Sequence, residues 1–538
     1  MSILLSLIPS SVSILDLQRA IDRYMVWAQN QSRLELGAAA VGLLLVGAML
    51  KWPDRAIGTR ARPDLKGKGD RGLPLVGNLF HIIRAGEDSL WYLDSLFKRY
   101  GNVVTFTIPG AGRFVDVNTP EAMQHILRDN FENYEKGDFF AGMFADVLGA
   151  GIFVANGTTW RIHRKTAANI FTTRLYRDLV QHAFKESANE LGQVFDKYTD
   201  RGVYFDLQNE FTKLTLDAFG KLTFGIDFKA LLTEGHNEFG DAFDYMTNRI
   251  DQRLLNPFWR LGEAIFPSLR KKVTTSVEIL NRYAYIAIEK RRKETEEERE
   301  VRPKDLLDHF IGYKYEDGSK LTDEELRDVF VNFMIAGRDT TSQALTWMFW
   351  LVMKYPQTEA KLLEEIEAVF RGTDEYTYEA LTQDMPYTKA VFYETLRLFP
   401  PVPKNGKVAV NDDVLPDGTK IYAKDVVGFS TYCMHRNPEV WGPDAAEFVP
   451  ERWLLEDPKA KSPFGRFKNE SLFKFNSFNA GPRLCLGQTF ATLEAMVTTV
   501  YLLQNYRFEL QPNHPEPIPK PSVTCPMKDP LMVRVLKR

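Results

Sequence analysis

The chain contains few cysteines, and their scarcity excludes a disulfide framework. Three cysteines occur in 538 residues, a usage that fits a reducing compartment. The net charge is also small, at −3, which gives no reason to expect a nucleic acid as a partner. Internal repeats and long low-complexity tracts are absent as well. What the chain does have is hydrophobic content of 44% and aromatic content of 12%, enough for a sizeable core.

One cysteine lies in an unusual string near the end of the chain. Residues 478–487 read FNAGPRLCLG, in which the informative positions are Phe478, Gly481, Arg483, Cys485 and Gly487. Such a string can hold one thiolate against a haem iron, because its glycines let the backbone bend under a flat ligand. The aromatic ring can shield the sulfur, and the arginine can meet a haem propionate. Residues 487–506 read as a helix, whose positive dipole end favours an anionic sulfur. Taken alone, Cys485 is more often an inert small hydrophobe.

The pattern Phe-x-x-Gly-x-Arg-x-Cys-x-Gly resembles the signature of the cytochrome P450 haem-thiolate monooxygenases. The resemblance implies a mainly α fold with a smaller β region, and haem b with Cys485 as its axial ligand. Attachment through histidine is less favoured, because the chain lacks a motif such as Cys-x-x-Cys-His. The other two cysteines, Cys433 and Cys525, have no comparable setting and are interpreted as structural.

A long buried helix is predicted from Leu321 onward. Thr322 and Glu325 have the spacing of a capping box, which marks its start. Pro356 marks its end, because proline lacks the amide that a helix interior requires. Roughly thirty residues at ~1.5 Å each make a rod of about 50 Å. Its middle is apolar on both faces, so we expect it to cross the domain interior.

Polar residues interrupt this apolar helix at AGRDTT, residues 336–341. A kinked helix with Asp339 paired to Arg338 is one interpretation, since an unpaired buried carboxylate costs several kcal/mol. The string also resembles the oxygen-binding groove of the cytochromes P450. That resemblance implies that Gly337 opens room beside the iron, that Thr340 bonds the bound oxygen and that Asp339 relays protons. Ala336 occupies the position where some fatty-acid hydroxylases carry a haem-esterifying glutamate, so no covalent haem link is expected.

Two further pairs lie at helical spacing. Glu394 and Arg397 at i,i+3 are, on general grounds, an exposed salt bridge worth under about 1 kcal/mol. The family resemblance instead buries this pair and joins it to Arg452 of the PERW string, as a structural support for the haem. Trp160 and Arg164 at i,i+4 fit an ordinary surface helix with its tryptophan packed inward. The resemblance assigns both to the haem propionates, with Arg483 and, more weakly, His435 as further partners.

Four segments divide the chain: 1–33 as an interfacial or lumenal segment, 34–52 as a transmembrane signal anchor, 53–80 as a basic proline-containing linker, and 81–538 as the catalytic domain. Residues 34–50 are apolar except for Glu35 and are close to the length of a bilayer span. A buried core helix has the same pattern, whereas a cleaved signal peptide fits less well. Basic residues cluster after the span, at Lys51, Arg55, Arg60, Arg62, Lys66, Lys68 and Arg71. The positive-inside rule therefore predicts a cytosolic catalytic domain, anchored in the endoplasmic reticulum membrane.

The substrate is predicted from weaker signals. Residues 133–164, 256–272 and 405–421 resemble the fatty-acid and alkane terminal hydroxylases of plants and fungi. An apolar pocket is expected from Phe139, Phe140, Met143, Phe144 and Leu148, although an aromatic stripe is as often ordinary core. Since no flavin region is visible, electrons are expected from a separate NADPH-dependent flavoprotein reductase, with cytochrome b5 as a second donor. Three alternatives stay open: oxidation of sterols, terpenoids or xenobiotics, rearrangement of peroxides, and a non-catalytic haem-binding membrane protein.

Overall fold

Helices dominate the computed structural model, which describes Arg19, Asp22, Arg23 and residues 33–538 except 234, 236, 257, 303, 372, 374 and 521. The predicted segment 1–33 therefore lies almost wholly outside the described residues. The helices are α1 (Arg33–Lys51), α2 (Leu79–Ala85), α3 (Ser89–Tyr100), α4 (Pro120–Gln124), α5 (Asp138–Leu148), α6 (Gly157–Ala168), α7 (Thr173–Asp178), α8 (Phe184–Arg201), α9 (Leu207–Phe224), α10 (Glu238–Leu255), α11 (Trp259–Ile265), α12 (Pro267–Lys293), α13 (Glu296–Val301), α14 (Leu306–Ile311), α15 (Asp323–Lys354), α16 (Pro356–Phe370), α17 (Pro386–Leu398), α18 (Thr431–Met434), α19 (Pro438–Trp441) and α20 (Gln488–Asn505). This composition confirms a mainly α class.

The strands are short and form several small sheets. They are β1 (Val103–Ile108), β2 (Gly112–Val117), β3 (Tyr134–Glu135), β4 (Phe205–Asp206), β5 (Asn405–Ala409), β6 (Asp413–Val414), β7 (Lys420–Ile421), β8 (Val426–Phe429), β9 (Leu454–Leu455), β10 (Arg466–Phe467), β11 (Tyr506–Leu510) and β12 (Met532–Lys537). A five-stranded sheet has the order β1-β2-β8-β5-β3, in which β2 and β8 are parallel. This sheet brings residues about three hundred positions apart in sequence to one wall of the interior.

Helix α15 runs through the core, as its sequence predicted. The side chain of Thr322 accepts from the Glu325 amide, and the Glu325 carboxylate accepts from the Thr322 amide, so the capping box is formed. The helix ends at Lys354, directly before Tyr355 and Pro356. Helices α8, α9, α17 and α20 bury their apolar faces in the same core, where Leu191, Leu214, Leu345, Leu396 and Val497 are at most 3% exposed. The apolar middle of α15 therefore explains why it is the central element.

The predicted span 34–52 coincides with α1. Its apolar side chains are exposed, with Leu43 63%, Leu44 74% and Leu50 69% accessible. In the part of the chain whose side chains are described, no helix reaches both the length and the apolar character that crossing a membrane requires.

Candidate active site

A cavity of about 550 Å³ lies between α15, the five-stranded sheet and the loop before α20. Its lining is mostly aliphatic and aromatic, with Cys485 at one part of the wall and Thr340 of α15 at another. The Cys485 side chain is accessible, and the surface that it exposes belongs to this cavity. A thiol and a threonine hydroxyl thus share one mainly apolar chamber.

The loop that carries Cys485 is held by backbone geometry that requires glycine. Gly481 has φ +63°, and a Cβ there would lie 1.9 Å from the carbonyl oxygen of Leu127. The Cys485 amide then donates to the carbonyl of Phe478 at 2.8 Å, which closes the loop beneath the cavity. Burial raises the pKa of the Cys485 thiol, while the Gly487 amide and the charge of Arg164 act in the opposite direction. Those two groups therefore favour the thiolate form.

Four cationic side chains gather beside this loop: Lys136, Arg164, Lys407 and Arg483. Burial and, to a lesser extent, the charge of Arg483 together lower the pKa of Lys136 to about 8. Burial likewise lowers the pKa of Lys407 far below its usual range, with Lys136 and Arg483 adding repulsion. The Lys407 ammonium and the Nε of Arg483 have no hydrogen-bond partner among the described residues. Buried like charges without counterions call for anions, so this cluster fits the two propionates of haem.

Trp160 and Arg164 reach the same place from α6. The Arg483 guanidinium lies 4.5 Å over the Trp160 ring, and Arg164 donates to the carbonyl of Leu484, next to Cys485. Both predicted residues therefore border the cavity as expected. Sequence reasoning missed Lys136 and Lys407. The alternation of side chains along a strand favours burial of Val408 and Val410 and exposure of Lys407, which is the opposite of the observed burial of this lysine.

On α15, an ionic chain leads from solvent toward the cavity. The Nη1 of Arg338 donates to Asp339 at 3.0 Å and to Asp244 of α10 at 2.7 Å. Asp244 is 58% exposed, whereas Arg338 and Asp339 are buried. Burial raises the pKa of Asp339 to about 6, against the opposing charge of Arg338. The predicted Arg338–Asp339 pairing is thus present, with Asp244 as an additional partner.

Thr340 follows Asp339 and lines the cavity. Its hydroxyl donates to the carbonyl of Ala336 at 2.6 Å, the bond to a preceding turn that bends helices. Gly337 also lies at the cavity wall, and a second feature requires glycine there. A Cβ there would lie 2.1 Å from the ring of Phe219, so glycine permits the close crossing of α9.

Another buried carboxyl lies next to this helix. Glu494 of α20 is 2% exposed, and neither of its oxygens has a hydrogen-bond partner at bonding geometry among the described residues. Burial raises its pKa to about 8, an effect that the nearby Thr341 hydroxyl moderates. Its burial therefore favours the protonated, uncharged form near neutral pH.

Beneath the Cys485 loop, Glu394 and Arg397 form a buried ionic network. Both side chains are 0% exposed, and Arg397 donates twice to Glu394, at 2.8 Å each. Arg452 donates to the same carboxylate at 3.0 Å, so the three predicted residues meet. Of the two interpretations of the Glu394–Arg397 pair, the structure therefore agrees with a buried pair joined to Arg452 and not with an exposed salt bridge.

His435 does not reach the cavity, contrary to the sequence-based expectation. Its Nδ1 bonds the Arg397 carbonyl at 3.1 Å, and its Nε2 accepts from the Asn476 amide at 3.2 Å. The ring stacks on Phe475 in the core, so both nitrogens are occupied beside the Glu394 network. We therefore withdraw the assignment of His435 to a propionate.

The expected apolar wall is formed largely by α5. Phe139, Phe140, Phe144 and Leu148 line the cavity. Met143 is 1% exposed and is not among the residues that line the cavity. Phe478 also lines the cavity beside Cys485.

Comparison with known proteins agrees with this geometry. A family model described as Cytochrome P450 matches residues 68–533. The chain is 36% identical over 519 residues to cytochrome P450 monooxygenase cyp1 of Mycosarcoma maydis, covering 93% of this chain and 80% of that protein. It is 33% identical to cytochrome P450 704B1 of Arabidopsis thaliana, covering 83% and 91% of the two chains. Alkane hydroxylase MAH1 of Arabidopsis thaliana is 35% identical, with 78% and 83% covered.

Proposed function

The chain belongs to the cytochrome P450 family and is a haem-thiolate monooxygenase, and on that premise we propose that it hydroxylates fatty acids or alkanes at or near the terminal carbon. The balanced reaction joins a lipid C–H bond, dioxygen, two electrons and two protons to give an alcohol and water. The observation that carries this proposal is the apolar wall, which offers a hydrocarbon chain contacts along Phe139, Phe140, Phe144 and Leu148. The alkane hydroxylase among the relatives supports the same substrate class.

The residues around the cavity fit the cofactor. In this proposal Cys485 ligates the iron, while Arg164, Arg483, Lys136 and Lys407 hold the propionates. Haem bound in this way supplies dioxygen activation and C–H oxidation, with the thiolate favouring cleavage of the O–O bond. The electrons come from NADPH through a reductase, for which we propose a separate flavoprotein, with cytochrome b5 as an additional donor.

Two residues of α15 are assigned to proton handling. Arg338 holds the Asp339 carboxylate next to the solvent-exposed Asp244, and from there Asp339 can take a proton from water. Its pKa of about 6 allows the carboxyl to bind and release a proton near neutral pH. Thr340 is the next residue and lines the cavity. Because its hydroxyl donates to the Ala336 carbonyl, its oxygen can accept a hydrogen bond from a group in the cavity.

We further propose that the protein is anchored in the endoplasmic reticulum membrane by residues 34–52, with the catalytic domain in the cytosol. The exposed leucines of α1 support this arrangement, as do the basic residues that follow it. A second apolar surface surrounds α11, where Phe258, Leu261, Ile265 and Phe266 are each more than half exposed. A lipophilic substrate dissolved in the bilayer would then lie close to the domain that oxidises it.

The substrate class is tested by turnover of a panel of fatty acids, n-alkanes, sterols and terpenoids with a reductase and NADPH. Product positions are mapped by mass spectrometry. Terminal or near-terminal alcohols of the acyl or alkyl chains are the expected products. Exclusive oxidation of the ring compounds would refute the proposed substrate. Turnover of lipid hydroperoxides without reductase would instead indicate a peroxide rearrangement.

A further inference from the structure

Lys404 is a charged side chain on the wall of the cavity. It follows the string Pro401-Val402-Pro403 that connects α17 to β5. The carbonyl of Pro403 accepts from the Tyr432 amide and from the Ser430 hydroxyl, at 3.1 Å each. Because the turn is fixed in this way, the lysine is held against the cavity by a rigid backbone.

The Lys404 ammonium makes no hydrogen bond or ion pair with any described residue. Burial lowers its pKa, while Asp251 and Asp116 raise it from a distance greater than that of an ion pair. Asp116 also lines the cavity, and its Oδ1 has no donor among the described residues. Lys404 is exposed and lines the cavity, so its ammonium is accessible there and can bind an anionic group of a ligand.

Lys404 does not belong to the cluster assigned to the haem propionates. The charges that act most on Lys407 are Lys136, Arg483 and Glu135, whereas those that act most on Lys404 are Asp251 and Asp116. Lys404 therefore serves a different part of the cavity, near Ser522 and Thr524 of the C-terminal loop.

The same part of the cavity adjoins the aromatic wall. A Cβ on Gly406 would lie 3.2 Å from the Phe140 ring, so α5 packs against the start of β5, two residues beyond Lys404. A single cationic group next to a hydrocarbon wall suits an amphiphile with one anionic end. An alkane offers nothing to the ammonium and would leave it unpaired.

We propose that Lys404 binds the carboxylate of the substrate, so that this enzyme selects fatty acids over alkanes and uses the bound carboxylate to fix which carbon is oxidised. The inference rests on the proposed lipid hydroxylation and narrows its substrate class. A charge-assisted hydrogen bond to the ammonium distinguishes an acid from its uncharged analogues. Lys404 is accordingly a specificity-determining residue with no part in the proton route through Asp339.

The test is a spectral binding titration of purified holoprotein with a fatty acid, the fatty alcohol and the n-alkane of equal chain length. For Lys404→Met we expect the Kd of the acid to rise roughly 10- to 100-fold, while the Kd values of the alcohol and the alkane change less than about threefold. Lys404→Arg should retain most of the affinity for the acid, because it keeps the charge. Lys420→Met, which removes an exposed lysine outside the cavity, is the matched control. Products from the acid should shift to other carbons in Lys404→Met only.

The outcomes separate this inference from the proposed function. Equal losses for acid, alcohol and alkane, or no loss for the acid, would overturn the role of Lys404 while lipid binding by the parent stands. A parent that binds none of the three lipids would refute the proposed function, and the inference with it. The reduced carbon monoxide spectrum of each variant measures how much haem is bound. If Lys404 bound a haem propionate and not the substrate, Lys404→Met would lower the haem content.

Discussion

Replacing Glu394 by glutamine should destabilise the protein far more than its conservative size suggests. The Arg397 guanidinium is 0% exposed and donates to Glu394 and to the carbonyls of His435, Ala445 and Glu447. Removing the carboxylate charge leaves a buried cation without compensation, a loss of about 3–5 kcal/mol. For a domain of the size of residues 68–533, the unfolding entropy is roughly 1 kcal/mol/K, so the Tm falls by about 3–5 °C.

Circular dichroism melts of parent and variant at equal haem content measure this change. Arg452→Gln is the matched control, because Arg452 is partly exposed and also pairs with Asp444 at 3.0 Å, and its loss should be about 1 kcal/mol. The double variant Glu394→Gln, Arg397→Met should lose less than the sum of the single changes, since no unpaired charge remains. A Tm for Glu394→Gln within the error of the parent, or strict additivity in the double variant, would refute the reasoning.

Three further predictions concern α15, the thiolate and α20. Thr340→Ala should divert reducing equivalents to hydrogen peroxide while haem content stays normal; equal coupling of NADPH oxidation to product in variant and parent would contradict the proton role. Cys485→Ser should lose the thiolate band of the reduced carbon monoxide complex, and an unchanged band would mean another ligand. The third concerns Glu494, whose pKa is raised to about 8 from 4.5 in the unfolded chain. The folded state retains this proton while the unfolded chain releases it, so stability falls as the pH rises from about 4.5 to about 8. Glu494→Gln lacks this contribution, and its Tm relative to the parent should therefore increase between those two values; a constant difference would show that Glu494 is not a buried neutral acid.

The sequence predicted the features whose signals are local. The capping box at Thr322 and the proline at 356 are written in adjacent residues, and α15 begins and ends where they indicate. The Cys485 string and the Glu394–Arg397 pair likewise carry their chemistry in short fixed spacings. Their positions could therefore be inferred before any fold was known.

The remaining parts of the site depend on contacts between distant segments. Lys407 points inward although its strand pattern favours the opposite face: Lys407 and Ala409, on one face, are at most 1% exposed, whereas Val410, on the other face, is 47% exposed. The family resemblance predicts a propionate contact for His435, yet both of its ring nitrogens form hydrogen bonds with residues of the core. Gly337 is glycine because of Phe219, which lies over a hundred residues earlier. The surroundings of Lys407, His435 and Gly337 cannot be predicted from residue spacing along a single helix or strand.

The four cations beside the Cys485 loop have a consequence for making the protein. If these residues hold the haem propionates as proposed, a chain synthesised without porphyrin closes its interior around four basic groups whose charged forms burial and mutual repulsion disfavour, and the two propionates would relieve part of that electrostatic cost. Cofactor capture and completion of the native state are thereby linked thermodynamically. Cells limited in iron or in a tetrapyrrole precursor should accumulate less soluble polypeptide, and supplementing either nutrient should restore the yield before any effect on turnover is measured.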